Sequence, residues 1–294
     1  MSPPLARAYA ACAALASSHY ENFPVASYLV PVPMRRHVAA VYAFARVADD
    51  IADEGQEAPA VRQARLRAWQ ERLHAAVQDT QPRGADSRDE LIFVALGHSI
   101  RELDLPVPLF DDLLSAFAQD TTVHRYHSWA ELLDYCRRSA NPVGRLVLRI
   151  GGYRDDAMER SSDALCTALQ LANFWQDFGR DWRAGRLYVP AEVYAATGAS
   201  LDDLSGGHMT TAWAEALEHC VARTRDCFEQ GRLVCDGVRG RLKAELRLTW
   251  LGGSRILDRV AAHRSELLTV RPALGAGDMP ALLWRAVRWE RVAA

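Results

Sequence analysis

The chain has 294 residues, of which 49% are hydrophobic and 24% charged, and its formal net charge is −2. These values are typical of a folded globular protein, and such a charge excludes a general attraction to nucleic acid or to anionic lipid. Six cysteines without a CxxC pair favour reduced thiols in the cytosol. No apolar run has the length needed to span a bilayer. We therefore expect a cytoplasmic protein, or one that is peripheral at the inner membrane face.

Helical periodicity dominates the chain, and β-branched alternation is scarce. The pattern predicts helices over residues 37–54, 60–79, 88–103, 108–119, 129–150, 160–183, 209–236 and 241–268. Turn-forming stretches such as QPRGADS and GGYRDD separate them. The alanine-rich N-terminus imitates a signal peptide only weakly, because it has two early prolines and a poor apolar core. Without a linker or a repeat, the sequence predicts a single all-α domain over residues 1–294.

The C-terminal segment from Met279 to Ala294 is amphipathic. Its apolar and basic residues fall on roughly opposite helical faces: Leu282, Leu283, Ala286 and Trp289 on one, and Arg285, Arg288 and Arg291 on the other. One interpretation is a helix that lies in a membrane interface. A last helix that packs on the core is the more common arrangement, and we favour it.

The stretch YAFARVADDIADE at residues 42–54 turns from apolar to acidic. Positions three and four apart stack on one helical face, so Tyr42, Arg46, Asp49 or Asp50, and Asp53 form one polar stripe. Asp49 and Asp53 lie one turn apart, about 6 Å along the axis. Two carboxylates at that spacing can share a hard cation, although an acidic helix end before a glycine turn has the same pattern.

A second stripe occurs in QLANFWQDFGRDW. Gln170, Asn173, Asp177 and Asp181 are spaced three, four and four residues apart, which again selects one helical face. If the two helices face one another across a cavity, their carboxylate and amide oxygens converge, and that much charge cannot be buried unpaired. Oxygen ligands favour Mg²⁺ or Mn²⁺ completed by substrate phosphates. Zinc is disfavoured, because the histidines show no HxxxH spacing.

Arginines and small residues complete this pattern. Arg46 lies on the first stripe, and Arg186 follows the second together with Tyr188. Cations near a metal site neutralise a departing diphosphate. In YCRRSANPVGRLVL, small residues recur on one helical face, and Pro142 should kink that helix; they are Cys136, Ala140, Val143, Gly144 and Val147. They either allow close helix packing or leave room for a long isoprenoid chain.

Three ordered motifs resemble those of the squalene/phytoene synthase family, from about His19 to the end of the chain. They are YAFARVADDIAD and QLANFWQDFGRDWRAGRLYVP, similar to the two aspartate motifs, and YCRRSANPVG, similar to the segment between them. The resemblance implies the all-α isoprenoid synthase bundle around a central apolar cavity. It also implies a Mg²⁺-dependent enzyme that acts on a prenyl diphosphate.

The resemblance assigns roles to individual residues. The implied metal ligands, which are also catalytic, are Asp49, Asp53, Asp177 and Asp181, with Asp50 in support. The residues implied to contact the diphosphate are His19, Arg46 and Arg186. Those implied to line the mouth or the reacting centre are Tyr42, Tyr135, Gln170, Asn173 and Tyr188, with Tyr42 and Tyr135 also catalytic. The residues expected to line the substrate pocket are Ala140, Val143 and Gly144.

HYENFPVAS at 19–27 and NFWQD at 173–177 are similar to the hydroxysqualene synthase branch of this family. Members of that branch ionise presqualene diphosphate and let water capture the rearranged cation, without NADPH. Gln176 replaces an arginine of the general motif and Arg180 replaces a glutamate. This departure fits a site that handles one diphosphate, although a charge swap within the helix would look identical.

Other functions remain open at this stage. One is the condensation of two prenyl diphosphates by a presqualene diphosphate, squalene or phytoene synthase. Another is a non-catalytic relative that serves as an assembly factor, but such a protein should have lost the aspartates. The expected partners are presqualene diphosphate and the other enzymes of the squalene/hopanoid route, with no nucleic acid and only transient contact with a membrane surface.

Overall fold

The computed structural model describes residues 2–18, 29–53, 57–78 and 87–289. Within these ranges every extended regular element is a helix, and strand-like pairing is limited to an isolated bridge between Arg125 and Leu187. The all-α class predicted from the sequence is confirmed. The chain separates into two compact units, the first made of Met1–Thr122 with Pro142–Arg154 and the second of Val123–Asn141 with Asp155–Ala294. The single domain over residues 1–294 stays a prediction.

The first unit is built around an aromatic core. Its helices are α1 (Pro3–Ser18), α2 (Val32–Asp53), α3 (Pro59–Val77), α4 (Arg88–Leu103), α5 (Val107–Asp120) and most of α7 (Asn141–Ile150). Phe44 of α2 packs edge-on against Phe110 at 5.6 Å between ring centroids, and Trp69 lies 4.4 Å from Phe93. All four rings are buried. This core fixes α2, and therefore the first aspartate stripe, against α3, α4 and α5.

Helix α1 docks through a buried polar cluster that the sequence did not predict. The Tyr9 hydroxyl lies 2.9 Å from both Ser99 Oγ and His98 Nδ1, which belong to α4. His37 of α2 contributes Nδ1 at 3.0 Å from the same Ser99 Oγ. Because buried polar groups destabilise a fold unless they are hydrogen-bonded, these contacts specify where α1 packs. The alanine-rich N-terminus is therefore a structural helix within its unit.

The second unit is organised around α8 (Asp156–Gln176), which packs on α12 (Thr211–Gln230) and α14 (Gly240–Ala262). Its other helices are α6 (Trp129–Ser139), α9 (Phe178–Arg183), α10 (Ala191–Ala196), α11 (Leu201–Ser205), α13 (Arg232–Gly237), a 3₁₀ turn (Ala276–Asp278) and α15 (Met279–Val287). Trp175 is fully buried, and its Nε1–H donates to Thr224 Oγ1 at 2.9 Å. This bond fixes α8 to α12 two residues before Asp177 of the second aspartate stripe.

Four predicted helices end or break earlier than their periodicity indicates. The segment 129–150 divides at Ala140, because Pro142 cannot donate a backbone N–H and suits the first turn of a new helix. The segment 209–236 divides at Gly231, where a Cβ would lie 2.6 Å from the backbone nitrogen of Leu165. The segment 160–183 divides at Asp177, and 241–268 ends at Ala262. In the described ranges, no helix is long and apolar enough to span a bilayer.

Candidate functional site

The first aspartate stripe lies on the C-terminal half of α2, as its spacing predicts. Arg46 Nη2 lies 2.5 Å from Asp50 Oδ1, and its Nη1 lies 3.5 Å from Asp49 Oδ2. Asp53 is the exposed last residue of the helix. Burial raises the pKa of Tyr42; Arg46 opposes this shift and the carboxylates of Asp49 and Asp50 reinforce it. One arginine therefore forms ion pairs with two carboxylates at a partly exposed surface.

The second stripe continues across the break between α8 and α9. Asp177 lies between the two helices, where its N–H donates to the Asn173 carbonyl at 2.8 Å and its carbonyl accepts from the Asp181 N–H at 2.9 Å. Asn173 Nδ2 also donates to Asp177 Oδ2 at 3.1 Å. The i to i−4 pattern is thus preserved. Gln170 lies one turn earlier and is half-buried, so this part of the sequence prediction agrees with the geometry.

The carboxylates of the second stripe are more buried than those of the first. The side chains of Asp177 and Asp181 are 16% and 15% exposed, compared with 42% for Asp49. Arg186 Nε lies 3.5 Å from Asp181 Oδ1. Burial raises the pKa of Asp181 to about 6, with Arg186 opposing this shift and the Asp177 carboxylate adding to it. Arg186 therefore only partly offsets the effect of burial on the Asp181 carboxylate.

The segment that follows α14 packs against the second stripe. It supplies a residue that the sequence analysis missed. Arg271 donates from Nε to Asp177 Oδ1, and its Nη2 lies 3.4 Å from Oδ2 of the same carboxylate. Gln176 Nε2 donates to the Pro272 carbonyl at 2.6 Å. A Cβ on Gly179 would lie 2.3 Å from the Leu268 carbonyl oxygen, so this approach requires glycine. Helical spacing carried no signal for a contact across 94 residues.

An aromatic wall borders Arg186. Tyr188 stacks on Phe174 with ring centroids 3.7 Å apart, and Tyr135 lies beside this pair, 6.2 Å from Phe174 and 6.5 Å from Tyr188. Tyr126, which the sequence analysis did not single out, stacks on Tyr188 at 5.9 Å. A shallow pocket is lined by Phe174, Trp175, Phe178, Asp181, Arg186, Leu187, Tyr188 and Val189. The carboxylate, the arginine and an apolar wall therefore occur in one place.

The expected apolar lining is less uniform. Ala140 is buried at the C-terminal end of α6, whereas Val143 of α7 is 43% exposed and Gly144 is intermediate. Cys136, on the same predicted face, is fully buried. The role of these residues in binding a hydrocarbon chain stays a prediction. His19 lies outside the described residues, as does the whole of HYENFPVAS.

The carboxylates fit a hard divalent cation in donor type, but they are not gathered for one. Among the described residues, no group of three or more His, Cys, Asp or Glu side chains is arranged to hold a metal ion. Asp49, Asp50, Asp177 and Asp181 each contact an arginine instead. Oxygen-only ligands suit Mg²⁺ or Mn²⁺, which retain water and recruit phosphate oxygens.

The comparisons with known proteins agree with these motifs. The family model for squalene/phytoene synthase matches residues 16–278. The hydroxysqualene synthase of Zymomonas mobilis is 38% identical over 71% of this chain and 68% of its own, and that of Sinorhizobium fredii is 33% identical over 87% of each. The crystal structure of squalene synthase HpnC from Alicyclobacillus acidocaldarius superposes with a TM-score of 0.82 at 39% identity, covering 90% of this chain and 97% of the other. The chain belongs to the squalene/phytoene synthase family.

Proposed function

We propose that this chain converts presqualene diphosphate and water to hydroxysqualene and diphosphate, within squalene and hopanoid biosynthesis. The observation that carries the proposal is the similarity, at 33–38% identity, to relatives named hydroxysqualene synthase. The local chemistry supports it, because a carboxylate stripe, arginines and an aromatic wall lie together around Asp181 and Arg186.

In this proposal each aspartate stripe would hold Mg²⁺, or Mn²⁺, for a diphosphate substrate. Asp49 and Asp53 serve in the first stripe with Asp50 in support, and Asp177 and Asp181 serve in the second. The bound cation supplies Lewis-acid stabilisation of the negative charge that develops on the leaving diphosphate. The raised pKa of Asp181, about 6, reflects a buried carboxylate for which a further cation would be favourable.

The arginines exchange partners when substrate binds. Arg46, Arg186 and Arg271 contact aspartates of the stripes. With cations on those carboxylates, the guanidinium groups would be available to the diphosphate, whose oxygens their planar fork matches. His19 is a further diphosphate contact in this proposal. The exchange keeps the carboxylates neutralised in both states, so no buried charge is left unpaired.

The carbocation then needs an apolar surface and one placed water. The ring faces of Phe174, Tyr188 and Tyr135 carry negative quadrupole potential, which stabilises a nearby cation. Ala140, Val143 and Gly144 hold the folded chain. The polar groups available to orient the water are Tyr42, Tyr135, Gln170 and Asn173. No reductant takes part, because water rather than hydride ends the reaction.

The alternatives differ in substrate and product. A presqualene diphosphate, squalene or phytoene synthase would join two prenyl diphosphates, and an assembly factor would turn over neither substrate. Asp49, Asp53, Asp177 and Asp181 are all present, with Asp53 exposed and Asp181 lining the pocket, which disfavours the last function. We further propose that the chain acts at the inner membrane face beside the other enzymes of its route, since its substrate and product are lipids.

The test is a product profile from purified protein with Mg²⁺. Presqualene diphosphate and farnesyl diphosphate are supplied separately, each with and without NADPH, and the lipids are identified by mass spectrometry. We expect hydroxysqualene from presqualene diphosphate in both arms and no product from farnesyl diphosphate. Presqualene diphosphate formed from farnesyl diphosphate as the main product would place the chain in the condensing branch instead.

A further inference from the structure

The last helix, α15 (Met279–Val287), is held firmly on one side. Leu282 is buried at 5% exposure. Before the helix, Asp278 accepts from Arg259 Nη2 at 2.7 and 2.8 Å and lies 3.5 Å from Arg255. After it, Arg232 lies over the Trp289 ring at 4.5 Å. Both ends of α15 are therefore fixed to the rest of the second unit.

The opposite side of the same helix is apolar and exposed. Leu283, Trp284 and Val287 have 48%, 60% and 85% of their surface exposed. At 100° per residue they fall within about 100° of arc, so they form one face, which we call the tail face. Single exposed apolar residues are ordinary on protein surfaces, but three on one turn of a fixed helix mark an interaction surface.

The positive charge beside the tail face indicates which kind of surface it binds. Arg285 and Arg288 are exposed next to it, and the Arg288 guanidinium lies 5.2 Å from the centroid of Trp284. Residues 279–289 contain no acidic side chain. A Trp and aliphatic face flanked by arginines complements an anionic bilayer surface, where indole rings and guanidinium groups settle at the headgroup level.

We infer that the tail face docks the second unit reversibly onto anionic lipid bilayers. The family model matches residues 16–278, so α15 lies just outside the residues that it matches. The preference from the sequence for a last helix that packs on the core is confirmed, because Leu282 is buried, and the inference adds a second role for the exposed face of α15. Docking would give the enzyme access to a substrate dissolved in the membrane, and this purpose rests on the proposed function. The docking itself does not rest on it.

The test measures binding of the full chain to vesicles by sedimentation. Vesicles of phosphatidylcholine alone are compared with vesicles that also contain phosphatidylglycerol, at low and at high salt. Trp284→Glu and Arg285→Glu probe the tail face. The matched controls are Val61→Glu, at a valine that is 46% exposed on α3, and Arg67→Glu, at an exposed arginine of the same helix.

We expect the parent chain to bind the anionic vesicles, and to bind them less in high salt. It should not bind the neutral vesicles. Trp284→Glu and Arg285→Glu should weaken binding at least about fivefold while both controls bind like the parent. Equal binding by Trp284→Glu and the parent, or no binding by the parent, would overturn the inference. So would a dimer of the parent that Trp284→Glu dissociates, since the tail face would then bind a second copy.

Turnover separates this result from the proposed function. With presqualene diphosphate dispersed in detergent, Trp284→Glu should turn over like the parent, and with the substrate in anionic vesicles it should be slower. If hydroxysqualene is not the product at all, the proposed function fails while vesicle binding stands.

Discussion

The two aspartate stripes carry the same residue types but are neutralised in different ways. In the first, Arg46 of α2 pairs with Asp49 and Asp50 of its own helix, at a partly exposed surface. In the second, Arg271 reaches Asp177 from 94 residues away, and the carboxylates are about 15% exposed. The first is a local helical arrangement, whereas the second depends on the tertiary fold. Removing a carboxylate from the second stripe should therefore lower activity more than removing one from the first.

Removing divalent cations tests both stripes together and should have the largest effect. In excess chelator we expect turnover to disappear, since the carboxylates and the diphosphate cannot share a site without a hard cation. Adding Mg²⁺ or Mn²⁺ back should restore it. Turnover that persists in chelator would contradict the metal assignment for both stripes.

Removing one carboxylate from each stripe compares the stripes directly. We expect Asp177→Asn to lower kcat/KM by at least about 100-fold, and Asp49→Asn by about tenfold because Asp50 and Asp53 remain nearby. Asp53→Asn, in the first stripe, should also remove most activity, lowering kcat/KM by about tenfold, since Asp49 and Asp50 remain. Helical content, measured by circular dichroism, should stay near that of the parent.

Asp258→Asn is the matched control, since Asp258 forms a surface ion pair with Arg225 at 3.6 Å. It should turn over like the parent. Equal, small losses for Asp177→Asn and Asp258→Asn would show that the second stripe is an ordinary solvated helix end.

Two arginines contact Asp177, and comparing them distinguishes the effect of a specific ion pair from that of positive charge in general. Arg271 engages both oxygens of Asp177, while Arg180 is 66% exposed and reaches one oxygen at 3.9 Å. We expect Arg271→Gln to lower kcat/KM about tenfold and Arg180→Gln to change it less than about threefold. Arg271→Lys, which keeps the charge but loses the fork, should recover only part of the loss. Identical effects of the two Gln variants would remove Arg271 from the site.

Glu245 is a buried carboxyl with no arginine partner among the described residues, and it extends the comparison from activity to the stability of the fold. Glu245 of α14 is 9% exposed, and its Oε2 has no hydrogen-bond partner among the described residues. Burial raises its pKa from 4.5 to about 8. Because the folded chain holds this proton more tightly than the unfolded chain, the free energy of unfolding falls as pH rises from 4.5 to about 8.

Glu245→Gln should remove that dependence. Above pH 8 we expect the variant to be more stable than the parent by a few kcal/mol, and below pH 4.5 we expect the two to be nearly equal. Urea unfolding at several pH values measures the difference. A parallel pH dependence of the parent and the variant would show that Glu245 is paired or solvated in the folded chain.

The sequence predicted what helix geometry alone determines. Asp49 with Arg46, and Asp177 with Asn173, lie at spacings that place them together in any α-helix. Arg271 and Tyr126 were missed, because their contacts depend on how distant segments pack. The break at Gly231 likewise depends on the close approach of Leu165, which no periodicity records. That the two stripes face one another stays a prediction.

The central claim is that water, rather than a second prenyl group or hydride, ends the reaction. The most direct measurement is mass spectrometry of the product from presqualene diphosphate, Mg²⁺ and purified protein in ¹⁸O-labelled water, with NADPH present. The account predicts hydroxysqualene that carries one labelled oxygen, and no squalene. Squalene as the main product, or hydroxysqualene with unlabelled oxygen, would contradict it.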